Sequence, residues 1–344
     1  MRDERTDSLV RSVAGFGLHG SPAPVPATVT DADGDRLFAR LRWERITGLA
    51  VECAAEGWLG LGDGHLEALL RFHRDAMAWA LSVERKLVGL ADAFEEEGIR
   101  FAVLKGASVA HTAYEDPSLR SFCDLDLLVR SEEYPRACAL LERLGHVRQR
   151  PEPRPGFEAR FGKASVHEHP DDRVQVDLHR TLVLGPFGLW IRPEELLERG
   201  ATFTLAGGPI PRLDDTGMML NVAMHASLGW RPPRLAPLRD ILEVARRGRV
   251  EWDVLAGWAS RWRLAAVLEH AFGTASDTLG VPLPPEAGAL IGTPTPRRER
   301  RALAAYVGEL RREGGIPTST IRAIPGLKGK AAYVWALAVP SREF

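Results

Sequence analysis

The sequence predicts a mixed α+β protein in which one small mixed sheet lies between an N-terminal helical segment and a C-terminal helical lobe. Residues 101–129 have the pattern of a β-α-β unit, with two short apolar runs around a helical stretch. Residues 173–180 alternate polar and apolar side chains, as a half-buried strand does. Before residue 99 and after residue 186, apolar residues recur instead at helical spacing. These three patterns place most of the sheet in the middle of the chain.

The composition is ordinary for a globular protein and argues against long nucleic acids and membranes as partners, although a local basic patch stays possible. The chain has 344 residues, of which 45% are hydrophobic and 26% are charged. A formal net charge of −1 gives no general attraction to long nucleic acids. No run of about 18 apolar residues is present, so no membrane span is expected.

The cysteines and the first residues predict a cytoplasmic location. Three scattered cysteines without Cys-x-x-Cys spacing are typical of free thiols in a reducing compartment. The charged start of the chain lacks the apolar core of a signal peptide.

Four segments are predicted along the chain. Residues 1–33 are rich in Gly, Pro and Ala and are expected to form a flexible lead-in. Residues 34–98 form the helical segment, residues 99–185 the α/β core, and residues 186–344 the mostly helical lobe. In the helical segment and in the lobe, apolar residues recur at positions i, i+3 and i+4, which is the spacing of an amphipathic helix.

The elements of the core follow from local signals. The pattern predicts a strand over 101–104, a turn at Lys105–Ser108, a helix over 107–114, a strand over 123–129, a helix over 131–144 with Ser131 as its N-cap, and strands near 164–169 and 173–180 joined by a turn at Asp171-Asp172. In the lobe it predicts a helix from Pro193, a hairpin over 201–213, helices over 214–228, 237–246, 252–262 and 264–279, a loop over 280–296 and a helix over 297–312.

Three aspartates are the candidate metal ligands. Asp124 and Asp126 stand at i and i+2 of one strand and therefore share a face. Two neighbouring carboxylates repel unless a cation neutralises them, and Mg²⁺ prefers carboxylate oxygens and substrate phosphates. Asp177 shares its strand face with Gln175 and His179, and a third carboxylate allows two metal ions to be held about 4 Å apart. The alternative is a strand end with solvated acids.

Other polar residues around the aspartates have two interpretations each. Lys105 offers a positive charge for a phosphate tail, or it is a lysine extending from a strand end. Arg120 binds phosphate, or it pairs with Asp116 or Glu115. His179 orients Asp177 or contacts substrate, or it is structural. The pair His167 and His169 is interpreted as a solvated strand face, and Cys123 as a core residue.

These motifs resemble a known family. The order Leu104-Lys-Gly, Tyr114-x-Asp-Pro, Arg120-x-x-x-Asp-x-Asp-Leu-Leu-Val and Val176-Asp-Leu-His is similar to that of the uncharacterised nucleotidyltransferase family of the DNA polymerase β-like superfamily. The resemblance covers about residues 35–344, including Leu41-Arg-Trp-Glu-Arg-Ile in the helical segment.

The resemblance implies a polymerase β-like palm fold and a transfer reaction. An NMP group would pass from an NTP to an acceptor with release of pyrophosphate, assisted by two Mg²⁺ ions or by Mn²⁺. Asp124, Asp126 and Asp177 would hold the metal, and Asp177 would also help to deprotonate the acceptor. The turn at Gly106 would hold the triphosphate, although Ala107 stands where the superfamily has Ser or Gly, and Ser108 follows one residue later.

The acceptor side is less defined. His225, Trp230 and Asp240 match the family's helical half and are candidates for the acceptor pocket. The acceptor classes left open are a peptide natural product, a small metabolite and a protein. Two other functions are also left open: a nucleotide-sugar glycosyltransferase that uses its Asp-x-Asp motif, and a catalytically silent binding protein. Only one strand–helix unit precedes the motif, which disfavours the glycosyltransferase.

Overall fold

A computed structural model of the chain describes residues 4–21, 27–291, 295–308 and 315–341. Its elements are α1 (Glu4–Gly15), β1 (Ala27–Thr28), α2 (Asp31–Glu44), α3 (Thr47–Ala55), β2 (Leu59–Gly60), α4 (Asp63–Glu96), β3 (Phe101–Val103), α5 (Ala107–Thr112), β4 (Asp124–Val129), α6 (Tyr134–Arg143), β5 (Val147–Arg148), α7 (Phe157–Phe161), β6 (Ala164–Glu168), β7 (Gln175–His179), α8 (Pro186–Trp190), α9 (Pro193–Glu198), β8 (Ala201–Leu205), β9 (Gly208–Arg212), α10 (Asp215–Leu228), α11 (Leu235–Arg246), α12 (Trp252–Arg261), α13 (Ala265–Leu279), α14 (Pro285–Ile291), α15 (Arg297–Val307), α16 (Gly315–Ala323) and α17 (Leu327–Ala338).

One seven-stranded mixed sheet organises the molecule, in the order β5-β6-β7-β4-β3-β9-β8. The central strand β4 runs antiparallel to β3 and parallel to β7. In the β4–β7 register Asp124 is opposite Gln175 and Asp126 is opposite Asp177. The predicted α+β class with a small mixed sheet is confirmed.

The two faces of this sheet pack against different helices. On one face, Leu125, Leu127 and Val176 join a buried cluster with side chains of α4 and α6. On the other face, Leu104 and Leu128 join a larger cluster built mainly from the N-terminal and C-terminal helices. The alternation predicted for 173–180 is confirmed, since Val174, Val176 and Leu178 are all fully buried.

The prediction of a flexible lead-in is wrong for residues 4–15. They form α1, whose Val10, Val13 and Ala14 are buried in the larger cluster. Arg239 of α11 donates hydrogen bonds to the carbonyls of Ala14 and Phe16, at 2.8 and 2.6 Å. The i, i+3, i+4 apolar spacing within a charged stretch is what allows this helix to pack. Residues 1–3 and 22–26 lie outside the described residues.

Several element boundaries differ from those predicted. Helix α6 begins at Tyr134 and not at Ser131, because Pro135 suits the first turn of a helix, where its missing N–H costs nothing. The predicted loop over 280–296 contains α14, and 292–294 lie outside the described residues. Helix α15 ends at Val307, and residues 309–312 of its predicted extent are likewise not described.

The division into four segments remains a prediction. The larger cluster combines residues of the helical segment, the core and the lobe, so their packing is continuous. In the parts of the chain that are described, no helix is both long and apolar enough to cross a bilayer.

Candidate active site

Asp126, Asp177 and His179 meet on the sheet face that carries the C-terminal helices. Asp126 and Asp177 are register partners on β4 and β7, and His179 follows two residues later on the same face. Each offers one ligand atom, and these three atoms lie within 4.8 Å of one another. Asp126 and His179 are each only 1% exposed. The parallel pairing therefore brings together groups that are about 50 residues apart in sequence.

Asp126 is held as a carboxylate by two neighbours. Lys105 Nζ donates to Oδ2, and His179 Nε2 lies 2.9 Å from Oδ1. Burial alone would raise the pKa of Asp126, but the charge of Lys105 and the contact with His179 outweigh burial and hold that pKa well below its usual value. A carboxylate that stays ionised in a buried position is suited to bind a cation.

The backbone carbonyl of Thr181 determines how His179 can bind a metal. His179 Nδ1 lies 3.2 Å from that carbonyl oxygen, which can only accept a hydrogen bond. Without a cation, Nε2 donates a hydrogen bond to the Asp126 carboxylate. With a cation at the site, the Thr181 carbonyl would keep the proton of the neutral ring on Nδ1 and leave the Nε2 lone pair for the metal. Metal-binding histidines commonly donate their other ring N–H to such a carbonyl.

Asp124 lies at the open end of the same face. It is half-buried, and burial together with the neighbouring charge of Asp126 raises its pKa, while Lys105 and Arg45 oppose that shift. It is not one of the three residues whose ligand atoms cluster most closely. Gln175, its register partner, donates from Nε2 to Asp177 Oδ1 at 2.9 Å. Asp124 is thus placed beside the three close groups and not among them.

Two lysines supply positive charge to the site. Burial would lower the pKa of Lys105, but the charges of Asp126 and Asp124 raise it above its usual value. The pKa of Lys163 is lowered, first by burial and then by repulsion from Lys105, although Asp126 and Asp177 act against this. Sequence reasoning missed Lys163. It stands directly before β6, and a single lysine at a strand entry carries no recognisable pattern.

The turn between β3 and α5 requires glycine at position 106. Gly106 has φ of 64°, in the region where a residue with a Cβ is strained. Ser108, one residue inside α5, is fully buried, and its Oγ has no hydrogen-bond partner among the described residues. The turn itself is adjacent to β4, since the Leu104 N–H donates to the Asp126 carbonyl at 3.0 Å.

Arg120 and Asp240 form a buried pair. Arg120 donates from Nε and Nη2 to the two carboxylate oxygens of Asp240, at 3.1 and 2.8 Å. The Tyr114 hydroxyl donates to the same carboxylate at 2.9 Å. Asp116, considered as the partner of Arg120, instead accepts from the Ser118 N–H and caps a short 3₁₀ turn. The geometry favours structural roles for Arg120 and Asp240, which tie α11 to the core.

His225 and Trp230 lie in different surroundings. Helix α10 crosses the end of β3, where Asn221 Nδ2 donates to the Leu104 carbonyl at 2.9 Å. His225 lies one turn further along α10 and is half-buried, and burial together with the charge of Lys105 holds its pKa well below its usual value. Trp230 is 42% exposed and contacts Trp43 edge to face.

Two predictions about neighbouring residues are wrong. His167, expected on a solvated face, is fully buried, because it lies on the face of β6 that packs against α6. Cys123, expected in the core, is exposed, because β4 begins one residue later, at Asp124. The alternation of a strand cannot be extended past its end.

The donor set fits a divalent cation. Neighbouring ligands on an octahedral ion with bonds of about 2.1 Å lie about 3 Å apart, close to the separation of Asp126 Oδ1 and His179 Nε2. That separation is 2.9 Å. Carboxylates suit both Mg²⁺ and Mn²⁺, whereas an imidazole ligand favours Mn²⁺, the softer of the two.

A sheet face with adjoining carboxylates and lysines is the kind of site used by enzymes that transfer phosphorus groups. Residues 30–280 match the sequence family described as uncharacterised nucleotidyltransferase. The chain belongs to this family, as its motifs predict, and the enzyme class is nucleotidyltransferase. An NTP substrate follows from the family, and enzymes of this class generally use divalent metals.

Two solved structures resemble part of the chain. An antigenic nucleotidyltransferase-like protein from Paracoccidioides brasiliensis is 17% identical, with a TM-score of 0.34, over 54% of this chain and 91% of that one. The antibiotic-resistance factor ANT(2'')-Ia is 17% identical, with a TM-score of 0.36, over 55% of this chain and 94% of that one. Neither likeness supports a statement about activity. No curated protein matches the sequence.

Proposed function

We propose that the protein transfers an NMP group from an NTP to an acceptor hydroxyl or phosphate, with Mg²⁺ or Mn²⁺ as its metal, and releases pyrophosphate. The observation that carries the proposal is the convergence of Asp126, Asp177 and His179 within 4.8 Å on one sheet face, beside two lysines. Asp124, at the open end of that face, is the fourth ligand candidate and would serve a second ion.

The metal would be held by Asp126 and Asp177, with Asp124 and His179 beside them. When bound, it supplies positive charge to the phosphate oxygens of the NTP. Lys105 has a separate role, because its ammonium already neutralises Asp126. With a metal on this carboxylate, Lys105 would be available to contact the triphosphate, and Lys163 would add a second positive charge.

The transfer exchanges one P–O bond for another. The acceptor oxygen bonds to the α-phosphorus of the NTP, the bond from that phosphorus to the bridging oxygen breaks, and pyrophosphate leaves with the electron pair. Asp177 is suited to accept the acceptor proton, since Gln175 holds its Oδ1 in place. Lys105 and Lys163 stabilise the charge that develops on pyrophosphate.

The C-terminal lobe is proposed to carry the acceptor pocket. His225 supports this, because α10 presents it to the metal face and burial keeps it neutral. Asp240 contributes indirectly by fixing Arg120, and Trp230 lies apart on the surface. The acceptor remains one of three classes: a small metabolite, a peptide natural product or a protein. A cytoplasmic location remains a prediction from the sequence.

Incubation with each NTP labelled at the α-phosphate tests the proposal. With Mg²⁺ or Mn²⁺ and a cell extract as the source of acceptor, we expect pyrophosphate release and label transfer. Asp126→Asn should abolish both, and the matched control Asp171→Asn, at an exposed turn, should change neither. Absence of NTP turnover with every nucleotide and both metals would favour the catalytically silent alternative. Label transfer from a nucleotide sugar instead would favour the glycosyltransferase.

A further inference from the structure

A cavity of about 360 Å³ lies next to the metal face, at the start of β4. Three parts of the chain enclose it: helix α4, the junction between α2 and α3, and the loop that leads into β4. Its walls include Arg45, Phe72, Ala76, Trp79, Phe122 and Cys123. The volume is within the range of small-molecule pockets.

Aromatic rings form the walls and are held in place. Trp79 Nε1 donates to the Cys123 carbonyl at 3.0 Å, which ties α4 to the loop before β4. Arg42 stacks over the Phe72 ring, with its guanidinium carbon 4.4 Å from the ring centre. Phe122 is 5% exposed and packs into the buried cluster on the apolar face of the sheet. Such walls suit a flat ring, because stacking on aromatic side chains accepts any π surface.

The cavity lies beside the strand end that carries the proposed reaction centre. Cys123, in its wall, directly precedes Asp124. Arg45 hydrogen-bonds the Cys123 side chain, and its charge acts on Asp124. The same Asp124 carboxylate interacts with Lys105. A molecule with a flat ring at one end and negative charge at the other would therefore place its ring in this cavity and its charge at the metal face.

We infer that this cavity binds the base of the NTP, with Arg45 between the base and the α-phosphate. The inference rests on the proposed function, because it takes the NTP to be the molecule that reaches Asp124. A nucleotide has the required shape, since one sugar separates its aromatic ring from the first phosphate. The mixture of ring surfaces, two arginines and the Asp75 carboxylate also offers hydrogen-bonding partners to the edge of a base.

Filling the cavity is the direct test. Ala76→Leu adds three carbons on the cavity side of α4, and leucine is well tolerated in helices. Phe72→Leu removes one ring while keeping an apolar side chain. The matched control is Leu81→Ala, which is on the same helix and 66% exposed. Calorimetry would measure binding of ATP, GTP, CTP, UTP and inorganic tripolyphosphate to each variant in the presence of Mg²⁺.

We expect Ala76→Leu and Phe72→Leu to weaken binding of the preferred NTP at least tenfold and to leave tripolyphosphate binding within twofold of the wild-type value. Leu81→Ala should match the wild type for both ligands. Unchanged NTP binding by Ala76→Leu, or an equal loss for NTP and tripolyphosphate, would overturn the inference. In that case pyrophosphate release that depends on Asp126 would still support the proposed function. Absence of NTP binding by the wild type would overturn both.

Discussion

The two faces of the central sheet differ in chemistry although they are built from the same strands. On β4, Asp124 and Asp126 alternate with Leu125 and Leu127, and β7 repeats the pattern in register. One face is therefore charged and meets α10, and the other is apolar and meets α4 and α6. Burial alone therefore does not define the hydrophobic core. Asp126 is as inaccessible to solvent as Leu125, with 1% exposure each, but its buried charge is stabilised by contacts with Lys105 and His179.

The apolar face also carries buried polar groups, but these are kept neutral. Burial lowers the pKa of both His146 and His167 to about 4, from a usual value of 6.5. Nearby positive charges, Lys86 for His146 and Arg148 for His167, act in the same direction. The buried carboxylate of the charged face thus stays ionised, whereas the buried histidines on the other side stay neutral.

A substitution on the charged face of the sheet should reduce enzymatic turnover more than any other change considered. Asp126→Asn removes a proposed metal ligand, and we expect NTP turnover to fall about 10³-fold or more. It also leaves the half-buried Lys105 without its closest anion, although Asp124 and Asp177 remain near it. Removing one partner of a fully buried pair typically costs about 3–5 kcal/mol, so we expect a smaller loss of unfolding free energy here. Denaturant unfolding and pyrophosphate release measure the two effects separately.

A second substitution separates stability from activity in this variant. Adding Lys105→Met to Asp126→Asn removes the stranded charge, so much of the lost stability should return while turnover stays absent. Full turnover in the double variant would show that Asp126 does not bind the metal. A fully stable Asp126→Asn would show that its contact with Lys105 is energetically unimportant.

Breaking the apolar face should affect stability alone. Leu127 is completely buried against α4 and α6, and Leu127→Ala should cost about 2–5 kcal/mol of unfolding free energy. Turnover per folded molecule, measured well below the melting temperature, should remain within about twofold of the wild type. A kcat lowered as strongly as by Asp126→Asn would mean that the two faces are not functionally separate.

Lowering the pH should reduce the free energy of unfolding, by a smaller amount, because the neutral histidines His146 and His167 become protonated. Their folded-state pKa is depressed, so the unfolded chain binds more protons as pH falls below 6.5. Their contribution to stability is thus complete above pH 6.5 and is lost as pH falls towards about 4. His167→Gln should flatten the decline of unfolding free energy over that window, relative to the wild type. An unchanged slope would mean that folding does not depress the pKa of His167.

Local patterns predicted the strands and the acidic pair well. The alternation over 173–180 identifies the apolar face, and the i, i+2 spacing of Asp124 and Asp126 identifies the charged one. The close approach of Asp126 and Asp177 was also expected. The position of His179 Nε2 beside them was not, because it depends on the contact between His179 Nδ1 and the backbone carbonyl of Thr181, which no side-chain pattern reveals.

What the sequence did not predict depends on contacts between distant segments. Arg120 pairs with Asp240, 120 residues away, although acidic residues closer in sequence were available. Helix α1 was missed because the Gly- and Pro-rich composition of residues 1–33 concealed the spacing of its three buried apolar residues, Val10, Val13 and Ala14. Arg45 lies within the stretch that resembles the family, but only the fold brings it to Asp124.

The position of bound Mn²⁺ tests the contrast between the two faces most directly. Anomalous diffraction at the manganese edge, from crystals grown with Mn²⁺ and a non-hydrolysable NTP analogue, would locate the ion. The account predicts a peak bonded to Asp126 and Asp177, with His179 Nε2 within bonding distance, and a weaker or absent peak in Asp126→Asn. A peak only on the other face, among His146, His167 and His169, or no peak at Asp126 in the wild type, would contradict it.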